Sequence, residues 1–323
     1  MKQGIAAVTG GTGFIGRHLV RLLLSDGKPV RVLTRDIRKA KSILQGEVEY
    51  FEGDLSDIEQ LSRFLSGAEH VFHLASELKD KTSMYETNVL GTKNVLSVLE
   101  KTQFKKFIYL SSAGVTGQKK YNLIDEKTQC SPSNEYEQSK WDAERLVFEF
   151  AGQKRKDISI LRPTNVIGED KDNPEDSFYR FIRQIKKNRF FYINHGDGTA
   201  NYIYVRDVAK ALIELSESDA ANGEIFIIND QSLMRDVVEC IKTFCHINNR
   251  TASLPYLPVL AASAVVHAIY PGFVLSPARV KALYSPYQYS SQKIERQLGF
   301  KLEYGIKNGL MRTIEWLENK KWI

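Results

Sequence analysis

The sequence predicts a doubly wound α/β fold: a parallel sheet with helices on both faces, followed by a smaller C-terminal α/β region. Three observations predict it. Over the first 165 residues short apolar runs alternate with helical patterns, the spacing of strand–helix–strand units. The runs are unbroken, as in Phe107-Ile108-Tyr109-Leu110, which is how strands buried on both faces read. The first run, Ile5-Ala6-Ala7-Val8, passes directly into a glycine-rich turn and then into a helical pattern.

Taken in order, the apolar runs 4–9, 29–34, 47–51, 70–75, 105–111 and 157–161 are strands. Helical patterns fill the gaps near 14–26, 57–66, 82–101 and 135–152. After Pro163 the texture changes. A polar stretch, Asp170-Lys171-Asp172-Asn173-Pro174, opens a helix near 176–187. Residues 190–193 and 202–205 read as short strands, and Val205-Arg206-Asp207-Val208 starts another helix. The chain carries no internal repeat and no low-complexity tract.

Composition excludes several classes. With 323 residues, 42% hydrophobic and 26% charged, the chain is an ordinary globular sequence. Its net charge of +6 is dispersed, with short runs only at Lys119-Lys120, Lys154-Arg155-Lys156 and Lys186-Lys187, so no nucleic acid is expected as partner. Three cysteines, 130, 240 and 245, cannot build a disulfide framework. Cys240, Cys245 and His246 lack a second ligand pair, so no metal is expected, and the two cysteines fall on a core pattern with Val237, Val238, Ile241 and Phe244. No signal-peptide pattern precedes the first strand, and a cytoplasmic location is expected. Residues 251–278 hold no Asp, Glu, Lys or Arg, and 259–270 are strongly apolar. Interrupted by Pro255, Pro258 and Pro271, the stretch is short of the ~20 residues a membrane span needs. A buried helix or pocket lid is the first reading and peripheral membrane contact through 254–275 the second.

The glycine turn is Gly10-Gly11-Thr12-Gly13-Phe14-Ile15-Gly16. A turn of this kind aims backbone N–H groups and a helix N-terminus at an anion, and it suits a dinucleotide pyrophosphate. Gly10 permits the turn, Gly13 lets phosphate approach, and Gly16 lets helix and strand pack closely. Downstream, Tyr136-Glu137-Gln138-Ser139-Lys140 places Tyr136 and Lys140 on one helix face. Tyrosine titrates near ~10. An ammonium one turn away and an oxidised nicotinamide are expected to lower that pKa, making Tyr136 a general acid or base.

Together with Asp54-Leu55, His73-Leu74-Ala75, Asn88, Ser111-Ser112, Leu161-Arg162-Pro163 and Leu298-Gly299-Phe300, these motifs resemble the extended short-chain dehydrogenase/reductase family, also called the NAD-dependent epimerase/dehydratase family. The resemblance runs along nearly the whole chain. It implies a Rossmann fold over 1–165 with returning segments near 201–230, a discontinuous substrate region over 166–323, and hydride chemistry at a secondary alcohol or ketone. By the same resemblance Ser112, Tyr136 and Lys140 are catalytic, with Lys140 also holding the nicotinamide ribose. Gly10, Thr12, Gly13, Phe14, Ile15 and Gly16 bind the pyrophosphate side of the cofactor. Asp54 and Leu55 contact adenine, although Asp54 could instead cap the helix that follows. Leu74, Ala75 and Ser76 line the cofactor's centre, Asn88 steadies the active-site backbone, and Pro163 and Val166 wall the nicotinamide. Ser112, Ala113 and Asn165 are the implied substrate contacts. Relatives often dimerise through the Tyr136 helix and its neighbour, so a homodimer through 82–101 and 135–152 is implied, with a monomer left open.

The ribose end favours NADP(H). Strand 29–34 ends in Thr34-Arg35-Asp36, with Arg38 close behind; arginine pairs with a 2′-phosphate, whereas an acid would accept from a 2′-hydroxyl. NAD(H) stays open because a one-residue shift makes Asp36 that acceptor. At the substrate end, nucleotide-sugar members carry an arginine where this chain reads Gly196-Asp197-Gly198-Thr199-Ala200-Asn201, and a second for which only Arg279 is offered. A diphosphate without paired cations is poorly held. The first reading is therefore a ketone reductase or hydroxysteroid-type dehydrogenase. The second is a nucleotide-sugar epimerase, dehydratase or 4-keto reductase. A third, a cofactor-sensing binder without turnover, is disfavoured because Tyr136 and Lys140 are both present.

Overall fold

In the computed structural model, which describes residues 4–117, 122–154, 157–270, 275–284 and 286–323, strands and helices alternate through the N-terminal half. The order is β1 (Ala6–Thr9), α1 (Phe14–Ser25), β2 (Val30–Thr34), α2 (Ile37–Ile43), β3 (Val48–Glu52), α3 (Ile58–Leu65) and β4 (His70–His73). Next come α4 (Lys81–Tyr85), a π-helical turn at Glu86–Leu90, α5 (Gly91–Leu99), β5 (Lys106–Leu110) and a 3-10 turn at Ala113–Thr116. The half closes with β6 (Leu123–Ile124), α6 (Glu135–Lys154) and β7 (Ile158–Pro163). Beyond it lie β8 (Asn165–Ile167), α7 (Ser177–Lys186), β9 (Tyr192–Ile193), β10 (Thr199–Tyr204), α8 (Val205–Glu217), β11 (Glu224–Ile228) and β12 (Asp230–Leu233). The chain ends through α9 (Met234–Phe244), β13 (Ser253–Leu254), α10 (Tyr256–Ile269), α11 (Pro277–Leu283), β14 (Gln288–Tyr289), α12 (Gln292–Leu298) and α13 (Gly305–Asn319).

Seven strands form one parallel sheet in the order β11-β7-β5-β4-β1-β2-β3. The order reverses between β1 and β4, and such a switch point opens a crevice beyond the carboxyl ends of the strands. One face packs α1 and α8 through Leu19, Leu23, Val208 and Leu212; the other packs α3, α5 and α6 through Leu61, Val95, Ala143 and Val147. A third core, with Phe178, Tyr179, Val238, Ile241 and Leu310, joins α7, α9 and α13 over the three-stranded sheet β12-β10-β8. Cys240 and Cys245 pack against this core, as their helical spacing predicts.

Three elements differ from expectation. The helix α2 is absent from the hydropathy pattern because Ile37-Arg38-Lys39-Ala40-Lys41-Ser42-Ile43 buries only Ala40. Asp36 opens it, accepting from the Lys39 amide at 2.9 Å. The single helix expected over 82–101 is broken by the π-helical turn, which carries Asn88. Most consequentially, α10 is a helix, but it is not a buried one: Leu257 is 71% and Ile269 81% exposed, and only Val259 and Ser263 are buried. Apolar composition gave the helix its hydropathy; among the described residues no element covers that face. Residues 271–274 of the same stretch lie outside the described residues, as do Lys119-Lys120 and Arg155-Lys156.

At the C-terminal edge of β7, Arg162 donates to both carboxylate oxygens of Glu144 on α6, each at 2.8 Å. Both side chains are buried. Removing one partner strands a charge in the core, whereas replacing both need not destabilise. Arg162→Met is expected to lower the unfolding free energy by about 3–5 kcal/mol. Adding Glu144→Leu should recover most of that loss, and urea unfolding of the two variants measures both.

Candidate active site

The cofactor end is built on close backbone contacts. Gly10 has φ +69°, and a Cβ there would stand 2.6 Å from the Ala75 amide nitrogen. A Cβ on Gly16 would stand 2.1 Å from the Gly10 carbonyl oxygen. Any larger residue would push β1, β4 and α1 apart. Gly13 is exposed and begins α1 without a side-chain cap. The first N–H groups of that helix therefore face the crevice with no protein acceptor, which is the arrangement an anion fits. Buried Arg17 holds the turn from behind, donating to the carbonyls of Thr12 at 3.0 Å and Gly13 at 3.3 Å and to the Asp172 carboxylate at 2.6 and 3.0 Å. The polar loop 170–174 returns onto α1, a tertiary contact without a local signal in the sequence. Lys171 completes it, its Nζ lying 4.7 Å from the centre of the Phe14 ring. Ile15 packs against the core beside α1.

At the ribose end Arg35 and Arg38 are exposed, and among the described residues neither makes an ion pair. Asp36 is occupied as the cap of α2. Asp54 is exposed and accepts from the Ser56 amide at 3.1 Å, while the cap of α3 is Asp57. Leu55 is buried, and its side chain packs on Gly91.

A buried polar line crosses the sheet beneath the turn. His73 has Nδ1 2.7 Å from the Thr9 hydroxyl and Nε2 3.0 Å from that of Thr92. Thr92 donates to the Asn88 carbonyl at 2.6 Å, so it accepts from His73 Nε2–H, and Nδ1 accepts from Thr9. That requires a neutral ring; burial holds the His73 pKa down at about 3. Asn88 spends its amide entirely on protein: Oδ1 accepts from Ser76 and the Glu77 amide, and Nδ2 donates to the Glu77 carbonyl and to Ser139 on α6. It positions the loop after β4. Leu74 is buried beneath that loop.

Tyr136 stands on α6, and the hydroxyls of Ser76 and Ser112 lie close enough to its phenol to favour the phenolate. Ser112 also accepts from the Gly114 amide at 3.1 Å, which fixes the turn after β5. Ser111 is buried, and among the described residues its hydroxyl has no hydrogen-bond partner. Ala113 is buried as well, so a substrate could meet only its backbone. Lys140, one turn along α6, is buried, donates to the Leu110 carbonyl at 2.6 Å and lies 4.3 Å from the centre of the Tyr109 ring. Pro163 is buried at the end of β7; Val166 and exposed Asn165 follow on β8, the latter donating to the Asn201 carbonyl at 3.1 Å.

The electrostatics correct one expectation. Burial pushes the Tyr136 phenol up to about 12, against the two serine hydrogen bonds that favour phenolate. The same burial lowers Lys140 from 10.5 to about 7, opposed by Glu144 one turn further along. In the protein alone Tyr136 is thus a held acid, because desolvation outweighs the two serine hydroxyls. Glu144 was not singled out from the sequence, although its spacing of four from Lys140 was the available signal. Since native Lys140 releases its proton near 7 and the unfolded side chain near 10.5, the unfolded state binds more protons between these values. Its contribution should make stability rise with pH through that window. Lys140→Met should flatten the rise, read as the difference between the two unfolding profiles.

These features have counterparts in known proteins. The profile of the NAD dependent epimerase/dehydratase family matches residues 6–229. A putative dihydroflavonol 4-reductase of Synechocystis is 27% identical over 332 residues, spanning 98% of this chain and 95% of that protein. An N-acetyl-α-D-glucosaminyl-diphospho-ditrans,octacis-undecaprenol 4-epimerase of Escherichia coli O157:H7 is 27% identical over 319 residues, spanning 95% and 93%. In fold, the chain superposes on a dTDP-glucose 4,6-dehydratase of Bacillus anthracis in complex with NAD, with TM-score 0.76 and 20% identity over 98% of this chain and 97% of that one. With the glycine turn at the switch point of a seven-stranded parallel sheet and a family match over more than half its length, the chain belongs to the NAD-dependent epimerase/dehydratase family of enzymes.

Proposed function

We propose that this enzyme is an NADP(H)-linked oxidoreductase of a secondary alcohol or ketone, a ketone reductase of the hydroxysteroid-dehydrogenase kind. The observation that carries the reading is the meeting of Tyr136 with Ser76 and Ser112 at the mouth of the crevice, one helical turn from Lys140. The relative named as a dihydroflavonol 4-reductase supports it.

The residues divide the work as follows. The α1 N-terminus and the glycine turn hold the pyrophosphate, and Arg35 and Arg38 receive a ribose 2′-phosphate. Pro163 and Val166 would wall a nicotinamide, which when bound would supply hydride to a carbonyl carbon or accept it from an alcohol. Ser112 donates to the reacting oxygen and sets its distance from Tyr136. Tyr136 gives that oxygen its proton in reduction and removes it in oxidation. Lys140 leaves the Leu110 carbonyl to steady the ribose, and as an ammonium it stabilises the phenolate left behind.

A second reading, epimerisation of a sugar carried on a diphosphate, is supported by the relative named as a 4-epimerase and by exposed Asn165 at the substrate side. The nucleotide released on denaturation separates the two. An epimerase regenerates its cofactor each cycle and can retain it, so stoichiometric bound NAD would favour the second reading. Empty protein that binds NADPH more tightly than NADH supports the first.

Tyr136→Phe should lower kcat by about 10²–10⁴-fold and leave NADPH affinity unchanged; unaltered turnover would remove Tyr136 from the mechanism. Replacing Arg35 and Arg38 together by Ser should weaken NADPH binding about 10-fold to 100-fold and spare NADH, measured by cofactor fluorescence titration.

A further inference from the structure

The exposed face of α10 is a continuous stripe. Leu257, Ala261, Val265 and Ile269 follow at intervals of four, flanked by Leu254, Pro258, Ala262 and Val266, with Tyr270 at the end. The opposite side, through Val259, Leu260 and Tyr256, packs on Ile193, Val280 and Tyr284. The helix is therefore anchored to the protein and presents its apolar ridge outward. A contiguous apolar surface of this kind marks an interaction site.

The charges around it choose the occupant. From Cys240 to Ile294 the sequence contains no Asp or Glu, but it contains Lys242, Arg250, Arg279, Lys281 and Lys293. Lys242 and Lys293 pair with Glu239 and Glu224. Arg250, just ahead of β13, and Arg279 and Lys281, on the helix packed beside α10, are exposed. A second copy meeting this face across a two-fold axis would set cation against cation, with no acid in the segment to pair them. An anionic headgroup layer meets the same pattern favourably: cations at the phosphates and an apolar ridge below them. Fourteen residues make a helix about 21 Å long, suited to lying in the interface and too short to cross it. No helix among the described residues is long and apolar enough to span a membrane.

We propose that α10 and α11 dock this enzyme on an anionic lipid bilayer, with Leu257, Val265 and Ile269 in the interfacial layer and Arg250, Arg279 and Lys281 on the headgroups. The docked element adjoins the substrate side of the site. The ring of Tyr256 on α10 lies 4.7 Å, centre to centre, from that of Tyr284, and a few residues on the phenol of Tyr289 comes close to the Thr116 hydroxyl in the turn that follows Ser112. The inference holds under either reading of the chemistry.

The test is co-sedimentation of the full chain with vesicles of equimolar phosphatidylglycerol and phosphatidylcholine, and with phosphatidylcholine alone. Binding is expected to the anionic vesicles, to weaken at high salt, and to fall at least about 10-fold in Leu257→Glu/Val265→Glu/Ile269→Glu and in Arg250→Glu/Lys281→Glu. All of these side chains are exposed and lie outside the anchor, and unchanged thermal unfolding and NADPH binding would show that the variants fold. Failure of the wild-type chain to sediment with anionic vesicles would overturn the proposal. So would equal binding by wild type and variants, or light scattering that shows a dimer which the Leu257 variant dissociates.

Discussion

The line of buried hydrogen bonds from Thr9 through His73 and Thr92 to Asn88 is the constraint on which the site depends. Thr9 ends the strand that enters the glycine turn, and Asn88 holds both the loop carrying Ser76 and the helix carrying Tyr136. Each member uses its donors and acceptors on the next, so the cofactor turn and the acid/base helix share one register. In a low-dielectric layer a half-satisfied line is costly, which gives the arrangement a single geometry. The neutrality of His73 is part of this, because a second ring proton would oppose the Thr9 hydroxyl.

Lys140 and Tyr136 show how one physical cause serves two ends. Burial disfavours the charged form of each, lifting the phenol to about 12 and lowering the ammonium to about 7. Near neutrality the pair therefore idles: the tyrosine keeps its proton and the lysine stands between its two states. Positive charge brought into the crevice favours phenolate. The protein's contribution is a proton held at one atom until the crevice is filled.

Much of this was legible in the sequence. Parallel strands announce themselves because both faces are buried, and the glycines at 10 and 16 are required by approaches no other residue permits. The Tyr136–Lys140 pair follows from helix geometry alone. The helix 37–43 escaped because it buries one alanine, and the loop 168–176 because its partner, Arg17, is more than 150 residues away in the chain. Hydropathy misplaced α10 for a different reason: it reports how apolar a segment is and is silent on whether anything covers it. The direction of the Tyr136 shift was likewise out of reach, since burial is a tertiary property.

The most direct test is the ultraviolet phenolate absorbance of the wild-type protein minus that of Tyr136→Phe, followed against pH with and without saturating NADP+. The account predicts that Tyr136 titrates near 12 alone and at a markedly lower pH with the cofactor bound. A phenol that still titrates near 12 with NADP+ in place would contradict it.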